Sequence, residues 1–559
     1  MVLVYIDFLI AFQLNDYLMF FYPTRIRFSI LTGCLLMSTF LMAQSPTRTI
    51  SKAALLDKIK GGWAGKMIGV TYGAPIEFRA QYATYDDSIK WTPKDIRGSM
   101  WQDDIYVQLT FMMTMDQFGV NAPAKKYQEM FAKSGYMLWH ANVQARKNYY
   151  DSIFPPASGS PEFSDHSDDI DFQIEADYLG FMCPGLPQTA MKLANKIGHI
   201  MNYGDGVYGG IFLSTLYTQA YFDNNIPSII NKSLQSIPAQ SDYAKIVRDV
   251  IQLHQQYPTN WKAAWVQLQN KWGYDHICAA GTNFNIDAKF NGAFIIMGLL
   301  YGEGDPMKTM EITTRCGQDA DCNPSNAMAV LGVIKGFNQL PASMQDGVNA
   351  VGDTLFINTT YSYKTAVQNT YQYALQMIQQ NGGKVNGELI SWPEQKVTTA
   401  PWEDAYPHLV FDKKISVFDK TNWTSKGDWK MYNEKSWDGK SERPQALMSA
   451  TKGDEITFSF EGTGISIAGN WVKDGGKAAI YVDGKWHRNI DTYFDYAQQE
   501  HRNITLWNDF KLKPGKHNVT IQVKGEHHPN STSSKVYITE AVVYKTAPKK
   551  SSVYIFPRN

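Results

Sequence analysis

Between Lys52 and about Gln380 apolar residues recur every three or four positions, the period of a helix that buries one face. Ile105, Leu109, Met112 and Met113 follow Asp103-Asp104 at that spacing, and Gly119 closes the run. Asp305-Pro306 supplies an N-cap and a proline at the first helical position, predicting a helix through Met310 to Arg315. Asn323-Pro324 predicts another from Ala327 to Phe337, with Gly332 and Gly336 leaving room for a close neighbour. Long strands are scarce, so residues 44–385 read as an all-α domain. The stretch from Asn381-Gly382-Gly383 to Pro401 mixes Gly, Pro and polar residues, which places a linker at 386–402. Beyond it the period falls to two. Ile456, Phe458 and Phe460 alternate with polar partners, as do Ile465 and Ile467, then Val519, Ile521 and Val523. Asp483-Gly484 and Pro514-Gly515 are turn signals between such runs. Residues 403–559 therefore read as a β-sandwich of the jelly-roll kind, and the whole as a multidomain chain with two separate cores.

Upstream of both, Arg25 and Arg27 precede an apolar run from Phe28 that ends at Ala43 and turns polar at Gln44-Ser45-Pro46. Basic flank, short apolar core and small residue at the break predict a secretory signal over 1–43, and hence a periplasmic or extracellular protein. A retained membrane anchor is the alternative, although the run is shorter than the ~20 residues of a span. A lipid anchor at Cys34 has few apolar residues ahead of it. Charge is balanced, 53 basic against 53 acidic residues, which argues against a general nucleic-acid binder. Beyond the signal stand Cys183, Cys278, Cys316 and Cys322, none in a C-x-x-C pair, which argues against a structural zinc knuckle. A disulfide is allowed outside the cytoplasm, with no pairing indicated by spacing.

The sharpest chemical feature is two acidic clusters far apart in the chain. Gln102-Asp103-Asp104 lies just before a helix, and Gly317-Gln318-Asp319-Ala320-Asp321-Cys322-Asn323 lies between two helices. Such oxygen-rich turns suit a hard cation such as Mg²⁺, because carboxylates converging in one cleft repel unless a cation neutralises them. The plainer reading is that each aspartate caps a helix. A third acidic stretch, Asp168-Asp169-Ile170-Asp171 to Glu175 and Asp177, is either a solvated helix face or a source of catalytic carboxylates, with Glu175 and Asp171 as candidates. The glycine-rich Asn202–Gly210 segment offers Asp205 and Tyr208 as contacts to a sugar, or is a simple turn. His140, His199 and His276 read equally as core or surface histidines.

Residues 61–78, from Gly61-Gly62-Trp63 to Gly73-Ala74-Pro75-Ile76-Glu77-Phe78, taken with Gln102-Asp103-Asp104 and the 317–323 segment, resemble the ADP-ribosylglycohydrolase family over roughly residues 52–340. The resemblance implies an all-helical catalytic domain and a centre of one or two Mg²⁺ ions that grips ribose hydroxyls while the bond at C1 breaks. Gln102, Asp103, Asp104, Asp319, Asp321 and Cys322 then fall at metal positions, and Glu77 at a retained acidic one. Val70 stands where the family has Asp, and Cys322 puts a soft sulfur where a hard oxygen is usual. The family's middle loop is replaced by the acidic 168–180 stretch.

The expected function is a secreted, metal-dependent hydrolase of a glycosidic bond in a glycan or glycoside. Glu175, Asp171 and Glu77 are its candidate catalytic carboxyls. The alternatives are a true ADP-ribosyl hydrolase outside the cytoplasm and a non-catalytic sugar-binding envelope protein. Trp423, Trp429, Trp437, Trp471, Trp486 and Trp507 suggest that the β-domain binds carbohydrate, buried core tryptophan being the plainer account. Carbohydrate is thus the expected partner, with neither nucleic acid nor a stable membrane span.

Overall fold

The computed structural model describes residues 46–274, 276–435 and 440–546. The expected signal at 1–43, Cys34 and Trp437 lie outside the described residues. Two regions follow one another: a helical domain and then a β-rich one. Among the described residues no helix is long and apolar enough to cross a membrane.

The helical domain is organised around its first helix, Lys52–Gly73, which Ser51 caps by accepting the Ala54 N–H. Every residue from Gly61 to Gly73 is buried, so this is a central helix rather than an amphipathic surface one. Gly61, Gly65, Gly69 and Gly73 fall on one face at four-residue spacing, and the Cys322–Lys335 helix lies against them backbone to backbone. A Cβ at these four positions would stand 2.1 Å from Gly332 O, 2.3 Å from Met328 O, 2.2 Å from Pro324 O and 1.8 Å from Ala320 O. This contact sets the 319–323 segment against the end of the first helix, where Glu77 follows. Gly69→Ala should therefore destabilise the fold by about 1–3 kcal/mol or more, since the opposing atoms are backbone and cannot turn aside. Chemical denaturation of the purified variant measures it.

The other expected helices form as the sequence indicates. Asp103–Phe118 ends at Gly119, with φ 78°, and Pro306–Arg315 begins on Asp305, whose side chain accepts the Lys308 N–H. The closing helix starts earlier than expected, at Cys322, and ends at Lys335.

The β-domain is a sandwich. One sheet runs in the order Lys485–Asp491, Gly476–Val482, Gly515–His527, Glu455–Gly462, Trp423–Lys426; the other runs His501–Asp509, Gly464–Trp471, Val536–Thr546, Glu442–Ser449, Lys430–Lys435. The alternating residues Ile456, Phe458, Ile465, Ile467, Val519, Ile521 and Val523 all face the shared core. Asp483 and Gly484 both take positive φ, 50° and 75°, in the two-residue turn pairing Val482 with Lys485. That is the turn whose twist suits a hairpin.

From Thr49 onward the described residues form one compact unit. The 386–402 segment is packed, not loose: Leu389–Pro393 pairs with Lys384–Asn386, Trp392 is buried, and Ala400 N–H donates to Ser236 O. Trp471 and Phe494 of the β-domain join the hydrophobic core of the helical domain. Gln499 bonds both the N–H and C=O of Leu138, and the Tyr496 ring stacks on Tyr150 at 3.6 Å. Of the sandwich tryptophans, Trp423, Trp471 and Trp507 are core, while Trp486 is 61% exposed.

Candidate functional site

Three segments supply the acidic residues. Glu77 follows the short turn Ala74–Ile76, Asp103 and Asp104 begin the Asp103–Phe118 helix, and Asp319 and Asp321 sit on the turn before Cys322–Lys335. Two backbone hydrogen bonds tie the first and third segments: Phe78 N–H donates to Gln318 O and Gln318 N–H donates to Ala80 O, each under 3 Å. Phe78 and Gln318 hold positive φ (53° and 55°), backbone strain of the kind that persists where surrounding contacts impose it. Asn291 fixes the turn from the Ala288–Gly302 helix, its Oδ1 accepting from Asp319 N–H and from Asn323 Nδ2.

The two clusters distant in sequence meet. Carboxylate oxygens of Glu77, Asp319 and Asp321 lie within 4.8 Å of one another, as do ligand atoms of Asp104, Asp321 and Cys322. Asp321 links the two groups. Asp104, Asp319 and Asp321 are buried, whereas Glu77 is exposed at the rim and Asp103 half-buried. Asp103 Oδ1 accepts from the Asp104 N–H, and Gln102 stands at the helix N-cap. The Cys322 thiol donates to Asp104 Oδ2 at 3.0 Å, which gives the sulfur a hydrogen-bonding position beside the oxygens.

Burial and mutual repulsion raise Glu77, Asp103, Asp319 and Asp321. Burial and the charges of Asp319, Asp103 and Asp104 push Glu77 up to about 8; burial with Asp104 and Asp319 pushes Asp103 to about 7; burial and Asp104 push Asp319 to about 6. Asp321 is also well above its ordinary value, from burial and the Glu77 charge. Folded-state values above unfolded ones mean that the folded chain retains protons the unfolded chain releases. In chelator, stability should be highest near pH 4 and fall as pH rises to about 8, by a total on the order of 3 kcal/mol after allowing for the solvent exposure of Glu77 and Asp103. A divalent cation should flatten that slope, because it supplies the opposing charge. Melting curves against pH, with chelator and with Mg²⁺, read this directly.

The residues present suit such an ion. The carboxylate donors are hard oxygens, with the Cys322 sulfur the one soft atom beside them, and Asp321 Oδ1 and, on the same turn, Asn323 Oδ1 are buried with no hydrogen-bond partner in the protein.

Sequence reasoning missed Lys66. It is fully buried, with Nζ 2.8 Å from Asp177, 3.2 Å from Asp104 and 2.8 Å from Ile174 O. Burial works to lower its pKa, but Asp177 and Asp104 outweigh it, so the lysine stays charged. One carboxylate of the cluster thus has a built-in counter-ion. The signal was a single charged residue within the glycine-spaced 61–73 stretch of that helix.

The acidic 168–177 stretch is not a solvated face; Asp168, Asp169, Asp171, Glu175 and Asp177 are all buried. Asp171 accepts the N–H groups of Ala141 and Asn142, capping the His140–Tyr150 helix. Glu175 accepts from Asn142 Nδ2, and its Oε2 has no partner. Burial first, then the Asp171 charge, pushes the Glu175 carboxyl well above its ordinary range. Asp205 accepts the Tyr243 N–H, and Tyr208 OH donates to Pro401 O in the linker, so both are engaged in internal contacts. His199 pairs with Glu403 at 3.0 Å. The four cysteines among the described residues, Cys183, Cys278, Cys316 and Cys322, form no disulfide and are buried.

A model of the ADP-ribosylglycohydrolase family matches residues 51–370. Among solved structures, the chain is similar to an ADP-ribosylglycohydrolase-related protein complex, with 13% identity, 58% of this chain and 99% of that chain covered, and a TM-score of 0.41. It is also similar to a two-domain esterase active on acetylated mannans, with 15% identity, 33% and 47% coverage and a TM-score of 0.21. A Paenibacillus xanthan lyase matches at 12% identity, 28% and 15% coverage and a TM-score of 0.19. No curated protein sequence matches the chain. With the family model covering more than half its length, the chain belongs to the ADP-ribosylglycohydrolase family, hydrolases of glycosidic bonds.

Proposed function

We propose that the protein is a secreted hydrolase of a glycosidic bond in a glycan or glycoside, with Asp104, Asp319 and Asp321 holding a Mg²⁺-type cation and Glu77 as acid or base. The observation that carries this reading is the meeting of Glu77, Asp104, Asp319 and Asp321 from three distant segments. When bound, the ion supplies charge to orient vicinal hydroxyls at the scissile carbon. Glu77 is the one member of that group exposed at the rim, where it can reach a leaving-group oxygen. Asp103, half-buried and raised towards neutrality, is a second carboxyl whose charge acts on Glu77, as such chemistry requires. Glu175 is sealed behind Asn142, and Asp171 is a helix cap, so we assign them to positioning rather than proton transfer. A sugar substrate is favoured by two exposed indoles: Trp101, two residues before Asp103, is 57% exposed, and Trp139, adjoining His140, is 44% exposed. Such faces stack on the C–H side of a pyranose or furanose ring.

The test is a screen of aryl glycosides and ADP-ribosyl peptides, with Mg²⁺ and with chelator. Turnover of a glycoside that needs the cation and falls about 10²–10⁴-fold in Glu77→Gln supports the assignment. Selective cleavage of ADP-ribosyl substrates would move the substrate class, and Glu77→Gln at full activity would remove the acid/base role.

A further inference from the structure

A second group of ligand-type side chains lies outside the reaction proposed above. His140 begins the His140–Tyr150 helix, His166 and Asp169 come from the turns before Asp171–Glu175, and Cys278 comes from the loop before Ala288–Gly302. His140 Nδ1 is 4.0 Å from both Asp169 Oδ2 and Cys278 Sγ, and His166 Nδ1 is 2.7 Å from Asp169 Oδ2. One ligand atom from each of the four lies within 4.8 Å of all the others.

The chemistry of this set differs from that of the carboxylate cluster. Two imidazoles, one carboxylate and one thiol are the donors that a borderline ion prefers, and Mg²⁺ does not. Bonds of about 2.0–2.1 Å to nitrogen and 2.3 Å to sulfur set the ligands of a tetrahedral ion roughly 3.3–3.7 Å apart, so the 4.0 Å separations must narrow a little and the 2.7 Å His166–Asp169 pair must open. Closing the remaining distances needs side-chain shifts of about half an ångström. A buried His166–Asp169 ion pair would by itself account for two of the four groups. A hydrogen bond between the Cys278 thiol and Asp169 accounts for a third, and neither accounts for His140 at the same aspartate.

Three further features fit a ligand site. Asp169 is 1% exposed, and its Oδ1 has no hydrogen-bond partner. His140 and Ala279, next to Cys278, both hold positive φ (45° and 52°), strain that aims the two ligand-bearing segments at one point. The His140 side chain is 28% exposed while the other three are buried, which leaves one way in from solvent. Phe284 stacks on the His140 ring at 5.3 Å and fixes its plane.

We propose that His140, His166, Asp169 and Cys278 bind one transition-metal ion of the Zn²⁺ type, at a site separate from the oxygen-lined cluster. The ion fastens the turn at 166–169 and the loop at 278 to the start of the His140–Tyr150 helix. An ion here deprotonates the thiol outright, as a coordinating cation does.

The experiment titrates chelator-treated full-length protein with Co²⁺, followed by competition with Zn²⁺ and, separately, Mg²⁺. One equivalent should bind with a thiolate-to-cobalt charge-transfer band, and Zn²⁺ but not Mg²⁺ should displace it. Cys278→Ser should abolish the band and, like His140→Ala, weaken binding by at least about 100-fold. Cys322→Ser and Asp319→Ala should keep the band, which separates this site from the carboxylate cluster. The proposal is overturned if the unmodified protein shows no such band at about 1 mM Co²⁺, or if the band survives in Cys278→Ser and disappears in Cys322→Ser. Should Cys278→Ser fail to fold, the unmodified protein and His140→Ala, altered at the least buried ligand, still decide it.

Discussion

Asp319→Ala should give a folded protein that gains no stability from a divalent cation and turns substrate over about 10³-fold more slowly, or worse. Asp319 is 3% exposed and shares its oxygens' surroundings with Glu77 and Asp321. Its backbone N–H, held by Asn291, is untouched by the change, so the turn keeps its place. What is lost is one carboxylate from a set whose members raise one another's pKa. The variant should therefore be as stable as the unmodified protein, or more so, in chelator at pH 8, where repulsion is greatest. Loss of cation-induced stabilisation together with a gain in chelator is a signature that mere misfolding does not produce. Thermal melts with and without Mg²⁺ measure both. A variant that still rises in Tm with the cation would remove Asp319 from the ligand set.

Lys66→Met should destabilise the fold by about 3–5 kcal/mol, the largest effect expected of any single substitution here. The ammonium has three protons and three acceptors, Asp177, Asp104 and Ile174 O. Methionine fills the space but leaves two carboxylates buried without their counter-ion. Lys66→Arg should not rescue, because a planar five-donor fork cannot occupy a pocket built around a point charge. Adding Asp177→Asn to Lys66→Met should recover part of the loss, since it removes one of the stranded charges. Denaturant unfolding of the unmodified chain, Lys66→Met, Asp177→Asn and the double variant gives the coupling. A single variant within about 1 kcal/mol of the unmodified chain would show that the pair adds little to stability.

The division into helices and then strands was legible because it rests on local periodicity. Asp103 to Gly119, Asp305 to Arg315 and the Asp483-Gly484 hairpin form where residue spacing, capping and turn chemistry place them. The carboxylate cluster was half legible. Each acidic turn was visible, and the glycines at 61, 65, 69 and 73 were visible too. That the glycines bring the turns together is a property of two helices touching backbone to backbone.

What the sequence determined by itself was therefore the elements and the chemistry available on each turn: acidic residues before two helices, a glycine-lined central helix, and alternating apolar strands. Tertiary structure alone decided which polar groups are used and how. Asp171 was a candidate catalytic carboxyl and Tyr208 a candidate sugar contact, and they cap a helix and hold the 386–402 segment, while Lys66, which carried no reading, is a buried counter-ion. His166, Asp169 and Cys278 carried no spacing signal, because they meet His140 only when separate segments pack. Burial made the difference in each case. A charge or thiol in water is bland wherever it stands, and the same group without water must find a partner, a proton or an ion.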